Sequence, residues 1–328
     1  MQFRTELNIP VATHPIDYTQ TIWSLGSCFA DTMGQKLVEN KFQVINNPFG
    51  VIFNPVALFG LVEILEEGQR NPETLAQFIE QGLVQNTSEQ WYHYQLHSSI
   101  HRNTAAQLKD FLITYLTDLH TKWQQSNWVL ITLGTAWVYE HTVNQQVVAN
   151  CHKMPATLFQ KRLLTVEEIL KAFGRIASFL STKQVVITVS PVRHLKDTLP
   201  LNSVSKAVLR LACHQLTERY ENIHYFPSYE LLLDDLRDYR FYTDDLLHPN
   251  KQAQTYIWER FVKCFFTEAT QKQMQQWQKI RNALQHRPFH PESKQYQQFL
   301  RKLYQEMQAF HPAVDLTEEL AQVKQQLL

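Results

Sequence analysis

The segment QTIWSLGSCFADTMGQKLVENK (20–41) decides the fold class of this 328-residue chain. Its first part, residues 20–26, is a short apolar run that ends in glycine, and such a run predicts a buried strand. The residues that follow, 28–41, place apolar side chains such as Phe29 and Leu37 at helical spacing. A strand that passes directly into a helix is the repeating unit of an α/β protein.

The same alternation of strands and helices recurs along most of the chain. Further strands are predicted at residues 91–97, 128–134, 184–190 and 223–226, with a hairpin formed by 137–141 and 146–151. Helices are predicted at residues 56–67, 73–81, 103–124, 164–181, 205–220 and 249–266. Pro249 suits the first position of the last helix. This order favours a doubly wound parallel sheet with helices on both faces.

The C-terminal part of the chain has a different character. From residue 268 it is glutamine-rich, and Pro288 and Pro291 interrupt its helical pattern. We therefore divide the chain into a domain of residues 1–267 and a helical extension of residues 268–328. The extension carries an apolar stripe of Tyr296, Phe299, Leu300, Leu303, Met307 and Phe310. Packing on the main domain is the first interpretation of this stripe, and a homodimer contact is the alternative.

Composition excludes several classes of partner. Lys and Arg together number 31, as do Asp and Glu, so no net charge attracts nucleic acid or an acidic membrane surface. Neither a signal peptide nor an apolar stretch of about 18 residues is recognisable, which predicts a cytoplasmic protein. The cysteines are widely separated, which predicts free thiols rather than disulfides or a zinc site. They are Cys28, Cys151, Cys213 and Cys264.

Reactive side chains follow the predicted strands, at the edge of the sheet where doubly wound proteins bind their ligands. Cys28 follows the first strand and opens a helix, whose free N–H groups can hold an oxyanion and whose dipole lowers the pKa of a thiol. Ser27 is the alternative nucleophile. Near the end of the domain, Asp245 precedes His248 by three residues, a spacing that allows the carboxylate to orient the imidazole as a general base.

Spacing alone is weak evidence for such a pair, because the chain has 14 histidines. Glu221 and His224 have the same spacing, but they run into a predicted strand and face no helix start. Histidines four residues apart at 93, 97 and 101 lack a carboxylate or cysteine to complete a metal site, so neither a metal nor a cofactor is predicted. Substrate binding or structural hydrogen bonding is open for His97, Ser98, His152, Lys153, Arg193 and His194.

Several motifs of the chain resemble the GSCFA family in order and spacing. They are SLGSCFA (24–30), NPFGVIFNP (47–55), LGTAWVYE (133–140), NCHKMP (150–155), TVSPVRHLKD (188–197) and FPSYELLLDDLRDYRFYTDDLLHPN (226–250). That family is similar to the SGNH (GDSL-like) hydrolases, which implies a three-layer, flavodoxin-like fold and acyl-ester chemistry. The resemblance covers roughly residues 1–267 and says nothing about the C-terminal helices.

The resemblance also implies roles for individual residues. Gly26-Ser27-Cys28 falls on the Gly-Asp-Ser of SGNH enzymes, which puts Cys28 at the nucleophile. Gly50 falls on the glycine of the second block, whose N–H helps to form the oxyanion hole. Asp245 and His248 fall on the terminal Asp-x-x-His.

The third block departs from the SGNH pattern. SGNH enzymes have Gly-x-Asn-Asp where this chain has Gly134-Thr135-Ala136-Trp137. The asparagine donor of the oxyanion hole is missing, so Thr135, Asn47 or Asn54 would have to replace it.

The residues and the resemblance together predict an acyl-ester or thioester hydrolase, or an acyltransferase. Its substrate would be a small acylated molecule or an acylated sugar. A non-catalytic protein that binds a small molecule or a carbohydrate on the same fold is the alternative, and the missing asparagine favours it.

Overall fold

A computed structural model describes residues 4–286 and 288–328 of the chain. Within them the strands are β1 (Thr21–Gly26), β2 (Gln43–Asn46), β3 (Leu83–Gln85), β4 (Trp91–His93), β5 (Trp128–Leu133), β6 (Trp137–His141), β7 (Val147–Val148), β8 (Phe159–Leu163), β9 (Gln184–Val189) and β10 (Ile223–Tyr225). The helices of the main domain are α1 (Cys28–Glu39), α2 (Pro55–Arg70), α3 (Pro72–Gly82), α4 (Ala105–Gln124), α5 (Val166–Leu180), α6 (Leu199–Arg219), the single turn α7 (Ser228–Glu230) and α8 (Lys251–Phe265). The C-terminal helices are α9 (Glu268–Leu284), α10 (Lys294–Gln308) and α11 (Thr317–Gln326).

Five strands form the central sheet in the order β10-β9-β5-β1-β2. Every neighbouring pair in this sheet is parallel, with Gly26 opposite Thr132 and Leu133 opposite Val189. The α/β class and the parallel sheet are therefore confirmed. Two small antiparallel sheets, β3-β4 and β7-β6-β8, lie outside the central sheet.

Helices cover both faces of the central sheet. Along β5, Val129, Ile131 and Leu133 belong to an apolar cluster that includes buried residues of α2, α4, α5 and α6. Trp128 and Leu130 belong to a second cluster, which includes residues of α1 and α8. Because successive side chains of a strand point to opposite faces, the two clusters lie on opposite sides of the sheet. The main domain thus has three layers.

Several predicted elements differ in extent from those observed. The second strand of the predicted hairpin, residues 146–151, is observed only as β7 (Val147–Val148). The strand predicted at residues 91–97 ends at His93, because the chain turns there and the N–H of Leu96 donates to the carbonyl oxygen of His93 at 2.9 Å. The helix predicted at residues 205–220 begins earlier, at Leu199.

The helix predicted at residues 249–266 begins at Lys251. Asn250 caps it, and its side-chain oxygen accepts the N–H of Ala253 at 3.0 Å. Pro249 therefore precedes the cap. The prediction that it is the first helical residue, which rested on its fixed φ angle, is wrong.

The C-terminal helices pack on the face of the sheet that α1 and α8 cover. The indole N–H of Trp277 donates to the carbonyl oxygen of Glu39 at 2.8 Å, and Phe310 contacts the ring of Tyr18 at 6.1 Å between centroids. Most of the predicted apolar stripe is buried in the same cluster as α1, and Phe299 is 37% exposed. The homodimer contact through this extension stays a prediction. No helix in the described ranges has the length and apolarity needed to cross a membrane.

Candidate active site

Cys28 is the first residue of α1, directly beyond the carboxyl end of β1. The N–H of Ser27 donates to the carbonyl oxygen of Thr132 on β5 at 3.0 Å, and its Oγ accepts the N–H of Phe29 at 3.3 Å. Ser27 is thus the cap of α1, and it is completely buried. Cys28 is half-buried and lines a cavity. Of the two candidate nucleophiles, Cys28 is therefore the one that a substrate can reach.

Asp245 and His248 form the predicted pair. The Nδ1 of His248 lies 2.6 Å from the Oδ2 of Asp245. The Oδ1 of the same carboxylate accepts the Thr243 hydroxyl at 2.6 Å and the N–H of Leu247 at 2.8 Å. These hydrogen bonds, that of Thr243 most of all, hold the pKa of Asp245 well below its ordinary value. The carboxylate therefore stays ionised and fixes the orientation of the imidazole.

Cys28 and His248 line one cavity of about 780 Å³ at the carboxyl edge of the central sheet. In the described residues no hydrogen bond joins the Sγ of Cys28 to His248, whose Nδ1 is occupied by Asp245. Catalytic contacts are often longer in an empty site than in the substrate complex. The walls carry aromatic rings and two lysines: Phe53, Trp137, Tyr139, Phe159, Lys161 and Lys196.

Burial raises the pKa of the Cys28 thiol above its ordinary value. The charge of Lys206 and the N–H groups of Cys28 and Phe29 act in the opposite direction, while Asp31 adds to the rise. The start of the helix thus lowers the pKa as the sequence suggests, but burial is the larger effect. The resting side chain is a thiol at neutral pH, and it needs a base before it can attack.

Lys206 is a functional candidate that the sequence interpretation missed. It lies on α6 with 1% of its surface exposed, and its Nζ donates to the carbonyl oxygens of Gly134 at 2.7 Å and Ser190 at 2.8 Å. Burial lowers the pKa of its ammonium to about 7, while the charge of Cys28 acts to raise it. A signal was present, because Lys206 shares the apolar face of α6 with Leu209 and Cys213.

Arg193 and His194 follow β9 and line the same cavity. The guanidinium of Arg193 lies 4.2 Å from the ring centre of Tyr242, and the backbone N–H of Arg193 donates to the carbonyl oxygen of Leu247 at 3.2 Å. Arg193 therefore supports the turn that carries His248. The Nε2 of His194 is buried without a hydrogen-bond partner in the described part of the chain. Burial, followed by the charges of Lys206 and His248, lowers the pKa of His194 to about 4.

The candidate oxyanion donors are mostly engaged elsewhere. The N–H of Gly50 donates to the carbonyl oxygen of Asn47 at 2.8 Å. Asn54 caps α2, and its amide group donates to the carbonyl oxygen of Val148 at 3.2 Å. Thr135 lines the cavity, but its hydroxyl lies 3.1 Å from that of Ser205.

Asn47 has the one amide nitrogen among these candidates that lacks a hydrogen-bond partner within the described residues. Its Oδ1 accepts the N–H of Gly26 at 2.9 Å, and its Nδ2 is buried without a partner. Gly26 lies only two residues before Cys28. Its hydrogen bond to Asn47 therefore holds this amide near the nucleophile. The N–H of Cys28 itself is the other donor beside the sulfur.

Four predicted substrate-binding residues do not line the cavity. The ring of His97 contacts the hydroxyl of Ser99, and the carbonyl oxygen of Ser98 accepts a hydrogen bond from the Nδ1 of His101. His152 is buried with its Nε2 2.9 Å from the carbonyl oxygen of His93, and Lys153 is exposed beside it. In that segment the cavity is lined by Asn150, Cys151 and Met154 instead.

The histidines at 93, 97 and 101 do not converge. Within residues 4–286 and 288–328, no three side chains of His, Cys, Asp or Glu are grouped as a metal ion would require. All four cysteines are unpaired.

The fold and the site define an α/β protein with a cysteine–histidine cavity at the carboxyl edge of a parallel sheet. The chain belongs to the GSCFA family, whose family model matches residues 21–261. A second model, described as GSCFA domain protein, C-terminal domain, matches residues 277–328. Among curated proteins none matches the chain. The resemblance seen in the sequence motifs is thereby confirmed at the level of the GSCFA family.

Proposed function

We propose that this protein is an acyl-ester or acyl-thioester hydrolase, or an acyltransferase, of the SGNH type with Cys28 as its nucleophile. The observation that carries the proposal is that Cys28 and His248 line one cavity, with the imidazole held by Asp245 at 2.6 Å. A nucleophile, a proton carrier and a residue that orients the carrier are the parts that acyl transfer through a covalent intermediate requires. The three-layer main domain agrees with a flavodoxin-like fold. We place the reaction in the cytoplasm, supported by the four unpaired cysteines.

In the proposed cycle, His248 takes the proton of the Cys28 thiol, and the Sγ attacks the carbonyl carbon of the substrate. The N–H of Cys28 and the amide of Asn47 stabilise the negative oxygen of the tetrahedral intermediate. When this intermediate collapses, His248 protonates the leaving group, and the acyl group remains on sulfur as a thioester. His248 then removes a proton from water or from a hydroxyl acceptor, which attacks the thioester and frees Cys28.

The cavity walls favour a substrate with both an apolar and an anionic part. Trp137 and Tyr139 line the cavity with aromatic surface that suits an acyl chain or a sugar ring. Lys161 pairs with Asp197, while Lys196 brings a second positive charge to the same wall. Two lysines and one carboxylate leave positive charge for a carboxylate or phosphate group of the substrate. Acylated small molecules or sugars that carry such a group are the class we propose.

The experiment that tests the proposal is a screen of acyl esters and acyl thioesters, with and without an anionic group. We expect turnover by the natural chain and none above background by Cys28→Ala. Ser27→Ala should keep its turnover and lose about 1 kcal/mol of stability, because the Ser27 hydroxyl caps α1. Undiminished turnover by Cys28→Ala would falsify the nucleophile assignment.

A non-catalytic binding protein is the second candidate function. The observation that favours it is the engagement of Gly50, whose N–H already donates to Asn47 instead of facing a substrate. If binding is the function, calorimetry should detect the same compounds bound at equal affinity by the natural chain and by Cys28→Ala, without product formation by either.

A further inference from the structure

Lys206 occupies a position where a lysine is unusual. Its Nζ is enclosed between the carbonyl oxygens of Gly134 and Ser190, at 2.7 and 2.8 Å. Gly134 follows β5 and Ser190 follows β9. Cys28 lies beyond the end of β1, the other neighbour of β5, and the N–H of Ser27 reaches Thr132 of β5. The ammonium and the thiol therefore lie at the same edge of three adjacent strands.

The charge of Lys206 lacks the partner that buried lysines normally have. In the part of the chain that the structure describes, it forms no ion pair with a carboxylate, and two carbonyl oxygens are its hydrogen-bond acceptors. An isolated buried ammonium is costly, so such a group either loses its proton or gains an anion.

Lys183 provides an internal comparison. It is also buried, and its Nζ donates to the carbonyl oxygens of Trp123 at 2.8 Å and Ser126 at 3.0 Å. The charge that acts on Lys183 is that of the carboxylate of Glu66. Two buried lysines thus share one pattern of carbonyl contacts and differ in the group that balances their charge.

For Lys206 the only charge that acts in this way within the described residues is the one that Cys28 carries once it is ionised. The charges of the two residues act on each other, and that of Cys28 favours the protonated form of Lys206. His194 lies at the same site, and burial, followed by the charge of Lys206, lowers its pKa. On α7, the ring centre of Tyr229 lies 5.9 Å from the Nζ. Asp31, on the helix of Cys28, opposes ionisation of the thiol.

We infer that the buried ammonium of Lys206, held by the carbonyl oxygens of Gly134 and Ser190 at the strand ends beside Cys28, stabilises the Cys28 thiolate through its charge. The S–H bond of Cys28 breaks and an N–H bond forms on His248, while Lys206 keeps its protons. His248 then gives this proton to the leaving group, as in the proposed cycle. The inference rests on the proposed function in naming Cys28 as the reactive thiol.

The test is the pH dependence of alkylation of Cys28 by iodoacetamide, read from the mass of its peptide. Alkylation requires no substrate turnover, so its outcome is independent of the proposed acyl chemistry. We expect Lys206→Met to slow alkylation at pH 7.5 by about tenfold or more, because each unit of rise in thiol pKa lowers the thiolate fraction tenfold. Lys183→Met should keep the profile of the natural chain. An unchanged profile in folded Lys206→Met would overturn the inference.

A second measurement does not depend on the folding of Lys206→Met. Nuclear magnetic resonance of side-chain-labelled lysine should show one lysine that titrates near neutral pH in the natural chain. Its titration should shift to lower pH in Cys28→Ala, because the thiolate that favours the ammonium is then absent. A titration that Cys28→Ala leaves unmoved, or the absence of any lysine titrating below pH 9, would contradict the inference.

Discussion

At the scale of single residues, the turn that carries His248 is fixed more firmly than its spacing implies. The carboxylate of Asp245 accepts hydrogen bonds from the hydroxyl of Thr243 and from the N–H groups of Leu247 and His248, in addition to its contact with the imidazole. Leu246 adopts a positive φ of 59°, an uncommon conformation for a residue other than glycine. Backbone strain of this kind persists where surrounding contacts hold it, and it is frequent at functional sites.

The pair Asp245–His248 gives a prediction with a matched control. We expect His248→Ala to lower kcat/KM by about 10²–10⁴-fold, the usual contribution of a general acid or base. His224→Ala should leave kcat/KM unchanged. His224 also follows an acidic residue by three positions, but its Nε2 lies 2.9 Å from the side-chain oxygen of Gln184, on β9. Equal losses in the two variants would contradict the assignment of His248.

Site residues could be predicted from the sequence where the groups that position them are close to them in the chain. Cys28 follows a recognisable strand, and Asp245 and His248 share one turn. Lys206 was missed because its role depends on carbonyl groups of Gly134 and Ser190, which are 72 and 16 residues away in the sequence.

At the scale of the elements, the close approach of β1 and β5 positions the nucleophile. Gly26 has a φ of 128°, and a Cβ atom built on it would lie 2.1 Å from the carbonyl oxygen of Thr132. A glycine is therefore required where β1 ends and Ser27 caps α1.

Gly26→Ala should destabilise the protein by about 2–6 kcal/mol, the sum of overpacking and backbone strain. Gly174→Ala is the control, because Gly174 lies in α5 and a Cβ atom there would meet nothing within 4 Å. This change should stabilise the protein by about 0.5–1 kcal/mol. Urea unfolding of both variants measures the difference, and equal stabilities would refute the close-approach argument.

The elements that sequence patterns failed to predict are those with little burial. β2 (QVIN) is an edge strand that pairs with β1, and its residues are partly or largely exposed. β8 (FQKRL) pairs with β6 and is similarly exposed. Without a buried face, neither strand shows the apolar alternation that identifies a strand in the sequence. Pairing with a neighbour far along the chain orders them instead.

At the scale of the whole molecule, the C-terminal helices complete one face of the main domain. Trp277, Leu303 and Met307 belong to the same buried cluster as Phe29 and Leu37 of α1. The apolar stripe predicted the packing of these helices, because such a stripe needs a partner. The sequence of the stripe could not show whether its partner is the main domain of the same chain or a second copy of the protein. Either partner would offer an apolar surface.

Trp277→Ala should lower the free energy of unfolding by about 3–5 kcal/mol, because a buried aromatic ring is lost and the carbonyl oxygen of Glu39 loses its donor. Phe289→Ala, at a side chain that is 98% exposed, should change it by less than about 0.5 kcal/mol. Thermal or urea unfolding checks both values. A fully stable Trp277→Ala variant would show that these helices contribute little to the core.

The most direct test of the account is to trap the acyl group on the enzyme. The protein is mixed with an activated acyl ester, quenched in acid within seconds, digested and analysed by mass spectrometry. We predict an acyl thioester on the peptide that contains Cys28, with greater accumulation in His248→Ala, because deacylation there lacks its base. An acyl group found only on Ser27 or Cys151, or no acyl group on a protein that turns over the ester, would contradict the central claim.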